Sequence, residues 1–144
     1  FRISMGEEFA QWVKNTFGPE DADQWYMYSG FTFLIGADGN ETICAPHTDT
    51  RHYNLYYLVD RGGDDVTTNY WIEKDKPVIR ESLITIDNYD DLNLLDAVQF
   101  PLNTWVLMNS RIIHSVENVI GDRKSIQVSM NCLPNTFKRL VGEK

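Results

Sequence analysis

Tyr53-Asn54-Leu55-Tyr56-Tyr57-Leu58-Val59, closed at once by Asp60-Arg61-Gly62-Gly63-Asp64-Asp65, is the stretch that decides the fold. Its aromatic and branched residues read as a strand, and the acid-flanked Gly-Gly pair reads as a hairpin turn. Val66 to Glu73 resumes the strand pattern on the far side. Toward the N-terminus, Phe31 to Ile35 is again aromatic and branched, and Asp38-Gly39-Asn40 supplies a turn before Thr42 to Ala45. Toward the C-terminus come Val78 to Ile86, Trp105 to Asn109, Arg111 to Glu117 and Lys124 to Asn131, the last two joined by a turn at Gly121-Asp122. Seven or eight short strands with turn signals predict a mainly antiparallel β sandwich or barrel, over about residues 28–133.

One helix precedes it. Ser4-Met5-Gly6-Glu7 reads as a capping box, and Phe9, Trp12, Val13 and Phe17 share one helical face. Gly18-Pro19 ends the run, which places the helix over about residues 5–17. The acidic stretch Tyr89 to Leu95 has room for one further short helical turn.

The 144 residues form a single expected domain, 1–144, with no repeats and no linker. With 42% hydrophobic residues, 24% charged residues, 7 Phe, 7 Tyr and 4 Trp, the chain has the material for a packed core. A net charge of −8 disfavours nucleic acid as a primary partner. No stretch approaches the roughly 20 apolar residues that span a bilayer, so no membrane partner is expected. Cys44 and Cys132 make no CxxC and no disulfide framework, and two thiols of this kind predict a reducing, cytoplasmic setting.

The chemistry concentrates around His47-Thr48-Asp49. In an extended segment His47 and Asp49 share a face with Cα atoms about 6.6 Å apart, close enough to converge on one ion. His114 lies in a second strand-like segment. Two histidines and a carboxylate can hold one face of a metal and leave the other open, as in non-haem iron sites. Arg123 follows His114 by nine positions, and in an alternating strand it shares a face with Ser125. A guanidinium grips a carboxylate bidentately, and a hydroxyl can complete the contact. Lys124 shares the opposite face with Ile126, Val128 and Met130, and parity alone leaves open which face looks inward.

The ordered set His47-Thr48-Asp49, His114 and Arg123-Lys124-Ser125 resembles the HxD…H…RxS pattern of the Fe(II)- and 2-oxoglutarate-dependent oxygenases, in their prolyl-hydroxylase-like branch. Asn54 to Leu58 and Trp105 to Ser110 support the likeness, which runs from about Phe31 to Met130. The resemblance implies a double-stranded β-helix, a jelly roll of the cupin-like kind. It implies His47, Asp49 and His114 as iron ligands and Arg123 as the partner of the distal carboxylate of 2-oxoglutarate. Ser125 would assist, and Tyr57 stands where relatives place a tyrosine touching that carboxylate, although as a strand aromatic it reads equally as a core residue. Some relatives carry another tyrosine ten residues before the first histidine, where this chain has Ala37.

The activity implied is dioxygenase hydroxylation of a carbon centre, consuming 2-oxoglutarate and O2 and releasing succinate and CO2. A peptidyl proline or a small metabolite is the substrate expected, and another divalent metal is able to replace Fe(II) in a purified sample. The presence of Asp49 sets the chain apart from halogenating relatives. The alternatives are a non-catalytic cupin-like module that binds a metal or a small molecule, and an interaction domain whose histidines are ordinary. Other features read more simply. His52 lines the site mouth or, more simply, faces solvent; Asp60, Asp64 and Asp65 form a charged hairpin tip, and Asn40-Glu41-Thr42 matches a glycosylation acceptor by chance. Tyr70, Trp71 and Trp105 pack in the core or wall a pocket.

Overall fold

The computed structural model describes residues 2–34, 36, 42–75, 84–85 and 89–142. Among the described residues, ten strands form two five-stranded antiparallel sheets. The first sheet carries β1 (Arg2–Ser4), β2 (Tyr26–Leu34), β10 (Arg123–Met130), β4 (Tyr53–Asp60) and β8 (Trp105–Asn109), in that order. The second carries β6 (Ile84–Thr85), β3 (Thr42–Thr48), β9 (Ile113–Val119), β5 (Thr67–Glu73) and β7 (Leu92–Val98). They are accompanied by the helices α1 (Gly6–Phe17), α2 (Ala22–Trp25) and α3 (Asn135–Val141). Among the described residues no helix is long and apolar enough to cross a membrane.

Alternation along β4 and β10 builds the layers. Leu55, Val128 and Met130 point outward and pack with Val13 of α1 and with Trp25, while Phe9, Phe17 and Phe137 close the edges. The Trp25 indole is fully buried and donates to the Gly18 carbonyl at 2.9 Å. On the other face Leu58, Phe100 and Met108 pack with Tyr56, Tyr70, Val98 and Val106, joining the two sheets. Leu92, Ile113 and Trp71 form a third cluster, and the Trp71 indole donates to the Ser115 hydroxyl at 2.9 Å. Tyr70, Trp71 and Trp105 are therefore packing residues rather than walls of the central cavity.

The expected strands at Tyr53, Val66, Trp105 and Lys124 all form, the third with the bounds read from the sequence. The capping box does not. Ser4 belongs to β1, opposite Gly30, so the helix starts later, and the Ser4 hydroxyl accepts only from the Gly6 amide at 3.4 Å. The acidic stretch after Tyr89 makes a single 3-10 turn (Tyr89–Asp91) and then continues as β7. Most of the strand expected over Val78 to Ile86, the turn at Asp38-Gly39-Asn40, Ala37 and most of the acceptor at Asn40 to Thr42 lie outside the described residues. Gly62 (φ 81°) ties the hairpin tip to the β9–β10 turn, its carbonyl accepting from the amides of Ile120 (3.0 Å) and Gly121 (2.8 Å). A Cβ there would meet the Arg123 amide at 3.0 Å, so glycine lets this turn settle against the start of β10.

Candidate metal centre

His47 and His114 are direct partners across the β3–β9 ladder, with ring centroids 4.4 Å apart. Cys44 and His47 both line the central cavity although they are three positions apart, an offset that puts side chains of a regular strand on opposite faces. The ladder shifts register between them, at the segment holding the buried Pro46, and this irregularity re-aims His47 inward. Asp49 follows the end of β3, held by its amide donating to the Ser110 carbonyl at 2.9 Å. Its Oδ1 lies 3.9 Å from His47 Nε2.

Ligand atoms of His47, Asp49 and His114 all lie within 4.8 Å of one another, so the three can hold a metal ion. The ring orientations suit that use. His47 Nδ1 contacts the Ala45 carbonyl and His114 Nδ1 the Ile112 carbonyl, each at 2.8 Å. A carbonyl only accepts, so each Nδ1 carries the proton and each Nε2 keeps a free lone pair. Burial, and then the neighbouring His47, hold the His114 pKa below the ordinary histidine value. Burial acts the same way on His47, but the Cys44 thiol at 3.9 Å and the Ala45 carbonyl outweigh it, and its pKa lies above that value.

The site opens into a cavity of about 230 Å³ between the sheets. Arg123, Ser125 and Gln127 line it from β10, with Thr32 from β2 and Tyr56 from β4. This resolves the parity of β10. Lys124 points away and lies 3.9 Å from both Asp60 and Asp122. Arg123 is only 8% exposed, and among the described residues its guanidinium has no hydrogen-bond or ion-pair partner. Burial pushes its pKa down, yet an arginine stays cationic through the working pH range. A buried cation without a counter-charge is costly, and it is relieved when an anion enters.

Tyr57, expected beside Arg123, does not line the cavity. Its ring lies 5.3 Å from Trp105 on the opposite face of β4. Adjacent strand residues point to opposite faces, and Tyr56 takes the inward position. Burial, and then the Asp49 carboxylate, raise the Tyr56 pKa far above the usual phenol range, so its hydroxyl stays protonated. His52 is exposed and absent from the cavity wall.

Sequence reasoning missed a polar cluster around Asp49: Arg51, Asn54, Ser110, Gln127 and Ser129. Arg51 donates to Asp49 Oδ1 at 3.5 Å and to the Ser129 hydroxyl at 3.0 Å. One signal was available, because an asparagine inside an otherwise apolar strand is unusual. No family model matches the chain, and no curated protein sequence matches it.

Proposed function

We propose that this chain is a non-haem Fe(II)- and 2-oxoglutarate-dependent dioxygenase on a double-stranded β-helix, hydroxylating a carbon centre of a peptide or small-molecule substrate. Support for the fold comes from the two facing antiparallel sheets with the cavity between them. One observation carries the functional reading. A three-ligand metal set and a buried guanidinium without a partner among the described residues line the same cavity. A structural metal site has no use for that cation, whereas an anionic cosubstrate reaching from metal to arginine requires it.

The donor set suits the group. Two neutral imidazoles and one carboxylate match a non-haem iron site with open positions. When bound, the iron and 2-oxoglutarate supply the oxidising chemistry. His47, Asp49 and His114 would hold the metal in this cavity. Arg123 would take the distal carboxylate of 2-oxoglutarate, with the Ser125 and Tyr56 hydroxyls that line the same cavity as donors. Phe100, Met108 and Val116 give the cavity an apolar side that keeps bulk water out. The substrate is a peptidyl proline or a small metabolite.

The test is release of succinate from 2-oxoglutarate by protein loaded with Fe(II) in air, with Asp49→Ala beside it. The proposal predicts slow succinate formation by wild type even without substrate, and none above background by the variant. No succinate from fully iron-loaded wild type would leave a cupin-like metal- or small-molecule-binding module as the better description.

A further inference from the structure

Asn54 is fully buried on the inward face of β4, and all four of its side-chain hydrogen-bonding positions are engaged. Its Nδ2 donates to Asp49 Oδ2 at 2.8 Å and to the Ser110 hydroxyl at 2.6 Å. Its Oδ1 accepts from Gln127 Nε2 at 2.8 Å and from the Ser129 hydroxyl at 2.9 Å. The polarity of this chain is forced. An ionised carboxylate only accepts, so the Asn54 amide must turn its NH2 toward Asp49 and its oxygen toward β10. Gln127, also fully buried, must then present its own NH2, and its Oε1 accepts from the Thr32 hydroxyl at 3.2 Å. The relay runs from a metal ligand across β4 and β10 to β2, so a rigid sheet fixes the carboxylate.

The two oxygens of Asp49 are therefore unequal. Oδ2 is held closely by Asn54 at 2.8 Å, while Oδ1, with Arg51 at a longer 3.5 Å, is the oxygen 3.9 Å from His47 Nε2. We infer that Asn54 is a positioning residue that makes Asp49 a one-oxygen ligand through Oδ1. A carboxylate free to rotate can bind a metal through both oxygens and fill a second coordination position. Asn54 keeps that position open for the cosubstrate. The inference rests on the metal reading proposed above, and its own consequence is a separation of effects. Removing Asn54 should disturb the metal and its open positions, and removing Arg123 should disturb only the cosubstrate.

Co(II) is the probe, because its visible spectrum reports coordination number and its binding needs no turnover. Wild type, Asn54→Ala and Arg123→Ala would be titrated with Co(II) and then with 2-oxoglutarate. Asn54→Ala should show an altered Co(II) spectrum before any 2-oxoglutarate is added, and Co(II) affinity weaker by roughly 10–100-fold. Arg123→Ala should keep the wild-type Co(II) spectrum and lose only cosubstrate affinity. If Asn54→Ala matches wild type in spectrum and affinity, the inference fails while the metal reading stands. If wild type gives no Co(II) spectrum of bound metal, both fail.

Asn54 is a buried hub and its truncation endangers folding, so a second measurement uses wild type alone. Infrared difference spectra of protein labelled with 13C-aspartate, taken on metal addition, report how the ligand carboxylate binds. Widely separated carboxylate stretches are expected for one-oxygen ligation. Narrowly separated stretches, the mark of two-oxygen ligation, would overturn the inference.

Discussion

His47 and His114 face each other across the β3–β9 ladder, and each commits its Nδ1 to the backbone carbonyl two residues earlier. Both rings are thereby oriented before any metal arrives. Replacing either by alanine should weaken Co(II) or Mn(II) binding by more than the roughly 10–100-fold expected for losing an outer partner such as Asn54. The raised His47 pKa means that protons compete at this ligand first. Metal affinity should therefore begin to fall, as pH is lowered, on the alkaline side of an ordinary histidine midpoint. Calorimetric titration across pH checks both statements.

Arg123 carries a buried charge with no counter-charge among the described residues. Arg123→Met should leave the metal-free protein at least as stable as wild type in thermal melts, because an unpaired buried cation has been removed. The same change should weaken 2-oxoglutarate binding by about 10–100-fold, the scale of losing hydrogen bonds to a charged group. A stability gain joined to a binding loss would identify the residue as retained for function. A clear loss of stability would mean that Arg123 has a structural partner.

Leu55 adjoins Asn54 in sequence but lies on the opposite face of β4, against Val13 and Met130, and is 2% exposed. Leu55→Ala should cost about 2–5 kcal/mol in denaturant unfolding, as large-to-small core changes do. The Co(II) spectrum of the folded fraction should not change. The contrast with Asn54→Ala tests the strand parity on which the site depends.

Two tyrosines set the alkaline limit. Burial, and then Asp96, push the Tyr70 pKa up to about 12, and Tyr56 lies higher still. In the unfolded chain these phenols ionise near the ordinary value of about 10. The folded state then binds more protons than the unfolded state between those values, so stability is intact below pH 10 and falls as pH rises toward 12. Tyr70→Phe should flatten that fall, and tyrosinate absorbance during alkaline titration should show two phenols ionising late or only with unfolding.

Much of the fold was legible because strand signals are local. Trp105 to Asn109 and the run from Tyr53 carry their own β-branched and aromatic pattern and turn punctuation. Arg2–Ser4 and Asn135–Val141 were not legible, because short exposed elements carry little periodicity. Spacing suggested that His47 and Asp49 could converge, and the resemblance added His114; the structure brings potential ligand atoms of all three within 4.8 Å of one another. Which face of β10 looked inward could not be read, because Val128 and Met130 are buried under α1 while Arg123 and Gln127 line the cavity. Both faces are covered, and the usual contrast of wet and dry sides is missing. The resemblance pointed to Tyr57, but it is Tyr56 that lines the cavity, while Tyr57 packs beside Trp105. Asn54 acquires its role only from Gln127 and Ser129, more than seventy positions away, a pairing that no local pattern contains.

The most direct test of the central claim is an anaerobic visible spectrum of Fe(II)-loaded protein during addition of 2-oxoglutarate. The account predicts a metal-to-ligand charge-transfer band that saturates in wild type, vanishes in Asp49→Ala and needs far more cosubstrate in Arg123→Ala. Fully metallated wild type that develops no band would contradict it, because 2-oxoglutarate would then not reach the metal held by His47, Asp49 and His114.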